Sequence, residues 1–303
     1  MGLLSHISKS EPAENTETKE SEKKVSVKKA GSGLLAKASK ATVKTFSSFQ
    51  EWAKSNGFDH CGLFTNIRGM MVITHSYGID AQTIASSVSS KDFWKGTLKK
   101  EEQIINYSKD DQDFYNYLQF FSFEMKNNVS HITFVKINDN SNSSILMIYK
   151  LNSDRNISIS QEAINSLTIN NSDINYEFTF ENSAELKKHE YQLLQIDLSE
   201  TVNSAIKEIQ LPEAGIKNAV MECIYNEIFD LLKTAFPEPN YVSFKNNSIV
   251  KIAFSYSENF DDILLQSHIN LLLNELLCKP EKYLSLVNNG KTNDSEKVIN
   301  FLN

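Results

Sequence analysis

Two histidines, His60 and His75, flank the stretch CGLFTNIRGMMVIT and are the first residues whose types and spacing invite chemistry. The stretch reads as two short apolar strands around a tight turn, Asn66-Ile67-Arg68-Gly69, with Asn first and Gly fourth as a type I turn prefers. A two-residue loop at 67–68 pairs 66 with 69 and, continued down the ladder, 60 with 75. That would bring two imidazoles to one sheet end beside Asp59 and Cys61, the beginning of a transition-metal site. Two arguments oppose it. One bulge slips the register and sends the rings to opposite faces, and successive strand residues alternate faces, so His60 and Cys61 cannot both point inward. No metal and no cofactor is expected, with His60 and His75 the only candidates.

Nucleophilic chemistry fares no better. Cys61 would need a neighbouring base and an oxyanion donor, and a cysteine in a strand centre reads as core. Cys61, Cys223 and Cys278 are odd in number, far apart and without a CxxC pair, so they read as small buried hydrophobes in a reducing cytosol. No GxSxG, HExxH or GxGxxG occurs. The GSG at 31–33 lacks the Lys-Ser or Lys-Thr of a phosphate loop. Asp110-Asp111 and Asp261-Asp262 suit helix entry, where the macrodipole favours acids. This poverty of catalytic groups points away from an enzyme.

The aromatic run between Phe114 and Phe123 offers binding rather than catalysis. On a helix, Phe114, Tyr117 and Phe121 share one stripe while Tyr115 lies off it. The stripe belongs in a core, or alternatively lines a pocket or interface, where aromatics are enriched.

The chain of 303 residues has room for two domains, and 40% apolar residues with 18 Phe and 11 Tyr can fill their cores. A formal net charge of −7 supplies no field for a phosphate backbone, so no nucleic-acid partner is expected. MGLLSHISKS lacks the basic and apolar regions of a secretory signal, and no apolar run reaches the length of a membrane span. A cytoplasmic protein is the expectation.

Residues 1–33 read as a disordered tether, because 9–30 carry many charges and almost no large apolar side chains. Its short apolar tip, Leu3, Leu4 and Ile7, would share one helical face and suits partner docking. A helix follows over 34–56, closed by Asn56-Gly57. Leu35 and Val43 in its first half are expected to mediate self-association or partner contact, with Phe46 to Trp52 packed on a sheet. The hairpin at 60–76 comes next, then a helix capped by Asp80, then a mostly helical stretch over 91–128. SHITFVKIN and SSILMIYKL form a second hairpin around a polar turn. A second module, 176–280, contains the strand EYQLLQIDL, a long helix after Pro212, a hairpin around Asn246-Asn247 and the helix FDDILLQSHINLLLNELL. Residues 281–303 read as a loose tail. The fold class is α+β, with two modules that each carry an antiparallel sheet flanked by helices.

Helix, hairpin, helix occurs in both halves, and Ser76-Tyr77 aligns with Ser255-Tyr256, which suggests a duplication. In the first module, the element order over 46–169, with strands at 60–67, 70–76, 131–137 and 145–150, resembles the GAF and PAS class of sensory domains. Profilin-like and longin-like scaffolds share nearly the same order. The resemblance implies a central antiparallel sheet with helices on it and a ligand pocket or dimer interface, with no ligand residues carried over. The functional expectation is a non-catalytic regulatory or scaffold protein working through protein contacts or self-association. A small-molecule sensor is the alternative, and an enzyme of unrecognised class a second one.

Overall fold

Arg68 and Gly69, with φ of 51° and 85°, make the tightest feature of the chain. They form a two-residue loop between β1 (Cys61–Ile67) and β2 (Met70–Tyr77), in which Ile67 faces Met70. Two successive positive φ values define a type I′ turn, whose twist matches that of the flanking strands. The type I turn centred on 67–68 is therefore corrected by one residue. Asn66 contributes all the same, since its Oδ1 accepts from the Gly69 N–H at 2.9 Å. A bulge between Leu63 and Phe64 shifts the ladder again, so that Leu63 faces His75 and Cys61 faces Tyr77.

The computed structural model describes residues 48–138, 143–167, 183–245, 248–255, 261–277, 284 and 286–303. The candidate partner residues Leu3, Leu4, Ile7, Leu35 and Val43 lie outside that set.

The hairpin is built into a six-stranded antiparallel sheet, ordered β3-β2-β1-β6-β5-β4, with β3 (Ser89–Ser90), β4 (Ile104–Ser108), β5 (Val129–Asn138) and β6 (Ser143–Leu151). β4 corrects the helical reading of 91–128. IINYS alternates, with Ile105 and Tyr107 buried and Asn106 exposed, and it pairs with β5 along its whole length. Around it lie the short helices α3 (Lys95–Lys99), α4 (Phe114–Tyr117) and α5 (Phe123–Lys126), with a 3-10 turn over Leu118–Phe120.

Each face of the sheet is covered, as its strands require. Cys61, Leu63, Leu146 and Ile148 pack under α1 (Phe49–Ser55) and α6 (Gln161–Ser166), where Phe49, Trp52 and Ile164 meet them. The Trp52 indole N–H donates to the Ala163 carbonyl at 3.0 Å and ties the two helices together. Ser48 caps α1 through the Glu51 N–H, and Gly57 (φ 70°) turns the chain out of it. Phe64, Phe134, Ile145, Met147 and Tyr149 point the other way, towards α2 (Ala81–Ser86) and the aromatic residues Trp94, Phe114, Phe120 and Phe121.

The second sheet follows a split βαββαβ path. β7 (Tyr191–Asp197) leads through α8 (Ser199–Ala205) and α9 (Ala214–Ala235) to the hairpin β8 (Tyr241–Lys245) and β9 (Ile249–Ser255). α10 (Asp262–Leu277) then returns to β10 (Leu286–Thr292). The sheet order is β10-β7-β9-β8, antiparallel throughout, an arrangement of the ferredoxin-like type. The residues expected to be a loose tail instead supply β10 and α11 (Ser295–Leu302). β10, LVNNGKT, is an exposed edge with little apolar content, which is why its pattern reads as loop. α11 buries Val298 and Leu302 against Tyr191, Leu193 and Ala253 together with Leu186 of α7 (Ser183–Leu186).

Both modules are antiparallel sheets flanked by helices, so the α+β architecture is as expected. The aligned hairpins nevertheless sit differently. In the first sheet the leading strand β1 faces inward and β2 lies next to the edge; in the second the trailing strand β9 is internal and β8 is the edge. A duplicated module would keep the same strand inside. The two sheets also share one core, because α9 packs on β2 of the first sheet and on β8 of the second. No helix among the described residues is long and apolar enough to cross a membrane.

Candidate functional site

The sharpest corner near this shared core is Gly78, just after β2. Its φ is 69°, and a Cβ there would lie 2.1 Å from the Asp59 carbonyl oxygen and 3.5 Å from His60 Nδ1. Glycine is required for both reasons, conformation and space. The corner turns the Gly78 and Ile79 N–H groups towards the Glu227 carboxyl of α9, which also receives the Ser76 hydroxyl. One residue on, Asp80 caps α2 by accepting from the Thr83 N–H at 2.8 Å and the Thr83 hydroxyl at 2.5 Å. The same hydroxyl accepts from the Ser122 N–H at 3.2 Å, fixing the loop before α5.

α9 supplies the opposite wall. Glu227, Asp230, Leu231 and Thr234 recur at three- and four-residue steps and so share one face. Leu272 and Leu276 of α10 stand beside them, and Met125 and Leu151 come from the first module. Together they line a cleft-like cavity of about 540 Å³ that opens to solvent. Lys54, from the end of α1, bonds Asp230 at 2.8 Å and Thr234 Oγ1 at 3.3 Å, with its ammonium 5.3 Å from the Tyr77 ring centre.

Glu227 is the unusual group here. It is 5% exposed and its Oε1 has no hydrogen-bond partner. Burial pushes its pKa up to about 7, with the Ser76 hydroxyl opposing, the Asp230 charge adding and the two backbone N–H groups opposing. His60 is shifted the other way, to about 4, by burial set against the charge of Asp59. Its Nδ1 also lacks a partner, and its ring meets Tyr149 edge-on at 4.8 Å. Around neutral pH the imidazole is uncharged and the carboxyl is near its midpoint. Cys61 and Cys223 are buried with raised pKa, by desolvation first; Cys223 Sγ sits 3.2 Å from Ser76 Oγ. Both thiols stay protonated, which disfavours a nucleophilic role.

Of the candidates read from sequence, His60 lines the cavity and His75 does not. The bulge places His75 against the Phe49 ring, with Nδ1 3.0 Å from Thr74 Oγ1, so the two histidines do not meet. Phe114, Tyr117 and Phe121 are buried in the core and none lines the cavity. Tyr117 borders a separate depression beside Thr97 and Lys100, its hydroxyl 2.7 Å from Thr97 Oγ1. Among the described residues no group of three or more His, Cys, Asp or Glu is arranged to hold a metal ion. Glu227, Asp230 and Lys54 escaped sequence reading. One signal existed: Glu227 follows Val220 by seven residues and Cys223 by four, on the apolar stripe of α9, where an acid is out of place.

No protein-family model matches this chain, and a search of curated proteins found no match.

Proposed function

We propose that this chain is a non-catalytic, cytoplasmic regulatory protein that binds a small molecule in the cavity between its two modules. The cavity itself carries this reading. Its volume lies within the range of ligand sites, roughly 300–1,000 Å³, and apolar walls surround a few convergent polar groups. Its position favours regulation, because a ligand there touches α1, β2 and α5 of one module and α9 and α10 of the other. Native mass spectrometry of freshly purified full-length protein should show a bound mass that disappears in Leu272→Trp, whose indole intrudes into the cavity from its α10 wall. Equal occupancy in the variant, confirmed folded by circular dichroism, would refute the placement.

A second reading, a protein-contact scaffold, draws on α10. Its outer side exposes Ile263, Leu264 and Leu271, while its inner residues line the cavity. Surface apolar residues grouped on one helix favour a protein contact. Loss of a co-purifying protein on Leu264→Asp plus Leu271→Asp, with the cavity variant unaffected, would favour it.

A further inference from the structure

We infer that the cavity takes a small organic cation, an amine on an apolar body, with its ammonium group met by Glu227 Oε1. This rests on the ligand-binding reading above and specifies the chemistry of the ligand.

The charge around the cavity is one-sided. Among the described residues Asp59, Asp80, Glu124, Glu227 and Asp230 line it, against the single ammonium of Lys54. Lys54 is already bonded to Asp230, and Asp80 is engaged in capping α2. An anionic ligand would meet an excess of carboxylates, of which Glu227 and Asp80 are buried and so the least screened by water. A neutral ligand would leave the Glu227 oxygen without a donor unless it brought one. Acidity alone would not make a site. Glu227 adds an oxygen that is buried and unpaired, on a carboxyl group approached by the Ser76 hydroxyl and the Gly78 and Ile79 N–H groups. An unsatisfied buried acceptor is costly, and a ligand N–H removes that cost.

A second unpartnered acceptor, His60 Nδ1, belongs to a residue that lines the same cavity. Gly78 stands between Glu227, which its N–H approaches, and His60 Nδ1, 3.5 Å from where its Cβ would be. In the tautomer protonated at Nε2, Nδ1 accepts a hydrogen bond. Tyr77, Ile79, Met125, Leu151, Leu231, Leu272 and Leu276 form walls for the apolar body.

Binding of a cation favours the ionised carboxyl, so it should release a proton from Glu227. Among the described residues, the titratable groups that line the cavity with Glu227 or interact with it are Lys54 on α1, Asp59 and His60 in the loop, and Cys61 and Tyr77 on the hairpin. Asp80 on the turn, Glu124 on α5, and Cys223 and Asp230 on α9 complete the set. Among these described groups only Glu227 has a shifted pKa near 7.

The test uses full-length protein and three probes of similar shape: 2-phenylethylamine, 2-phenylethanol and 3-phenylpropanoate. Affinities are measured by saturation-transfer NMR for the wild type, Glu227→Gln and Leu272→Trp. The amine should bind at least tenfold tighter than either other probe. That preference should vanish in Glu227→Gln, and all binding should vanish in Leu272→Trp. Amine affinity should rise roughly tenfold between pH 6 and pH 8, following the ionised fraction of Glu227, and stay flat in Glu227→Gln. If the alcohol or the acid binds as well as the amine, and Leu272→Trp still abolishes it, the cationic specificity is wrong and the cavity reading stands. If no probe shows binding that Leu272→Trp removes, both fail.

Discussion

Glu227, buried, and His60, half-buried, line the same cavity with pKa values displaced in opposite directions, and their effects on stability oppose each other. Glu227 titrates about 7 when folded and 4.5 in the unfolded chain. The folded state therefore holds the extra proton between those values. The stability this gives is fully present below pH 4.5 and is lost as pH rises through 7, on the order of 3 kcal/mol in all. His60 titrates about 4 when folded and 6.5 unfolded. Here the unfolded state holds the extra proton, so stability is present above 6.5 and is lost as pH falls through 4. Between pH 4.5 and 6.5 the two slopes nearly cancel. Urea unfolding across pH should show this by subtraction. Glu227→Gln should leave stability that rises with pH from 4 to 6.5, and His60→Gln stability that falls from 4.5 to 7. If both variants keep the wild-type slope, neither group is buried as described. Only half of this pair was legible in the sequence. His60 drew attention as a possible ligand in a pair with His75, a pairing that the bulge removes. Glu227 could have been found as an acid on an apolar stripe, but a helical pattern does not say what packs over it.

The elements divide along the same line. Strongly periodic ones were legible: the three hairpins, the C-terminal turn of α1 at Gly57, the Asp80 cap of α2, and α9 and α10. Each is specified by residues close in sequence, through turn chemistry, capping or a continuous apolar face. β4, β10 and α11 were not, because each is defined by a partner distant in the chain. β4 exists through pairing with β5, β10 through pairing with β7, and α11 by covering the outer face of the second sheet. Turns test this local logic, and two glycines with positive φ should differ widely. At Gly69 (φ 85°) an added Cβ meets nothing within 4 Å, so Gly69→Ala should cost only the backbone strain, about 1 kcal/mol. At Gly78 the Cβ would strike the Asp59 backbone, so Gly78→Ala should cost about 3 kcal/mol or more, as overpacking does where the neighbour cannot yield. Midpoints of urea unfolding measure both. Equal losses would mean that the Asp59–Gly78 contact is looser than drawn.

At the scale of the molecule, α9 decides whether two sheets behave as one body. One side of it reaches β2, where Cys223 meets Ser76, and another reaches β8, where Phe229 and Tyr225 meet Phe244. A core continuous through a shared helix should unfold in one step, since neither sheet keeps its cover when α9 leaves. The chain carries its own reporter for this, because Trp52 and Trp94, its only tryptophans, are both buried in the first module. Ile252 lies on β9 of the second sheet and is fully buried. Ile252→Ala should destabilise by about 2–5 kcal/mol, as truncation of a buried side chain does. With coupled modules, the tryptophan fluorescence transition should move to lower urea by the same amount as the circular dichroism transition. A fluorescence midpoint that stays in place while circular dichroism acquires an earlier phase would mean that the sheets unfold independently. A ligand in the cavity would then bridge two separable bodies, and its binding should restore a single transition.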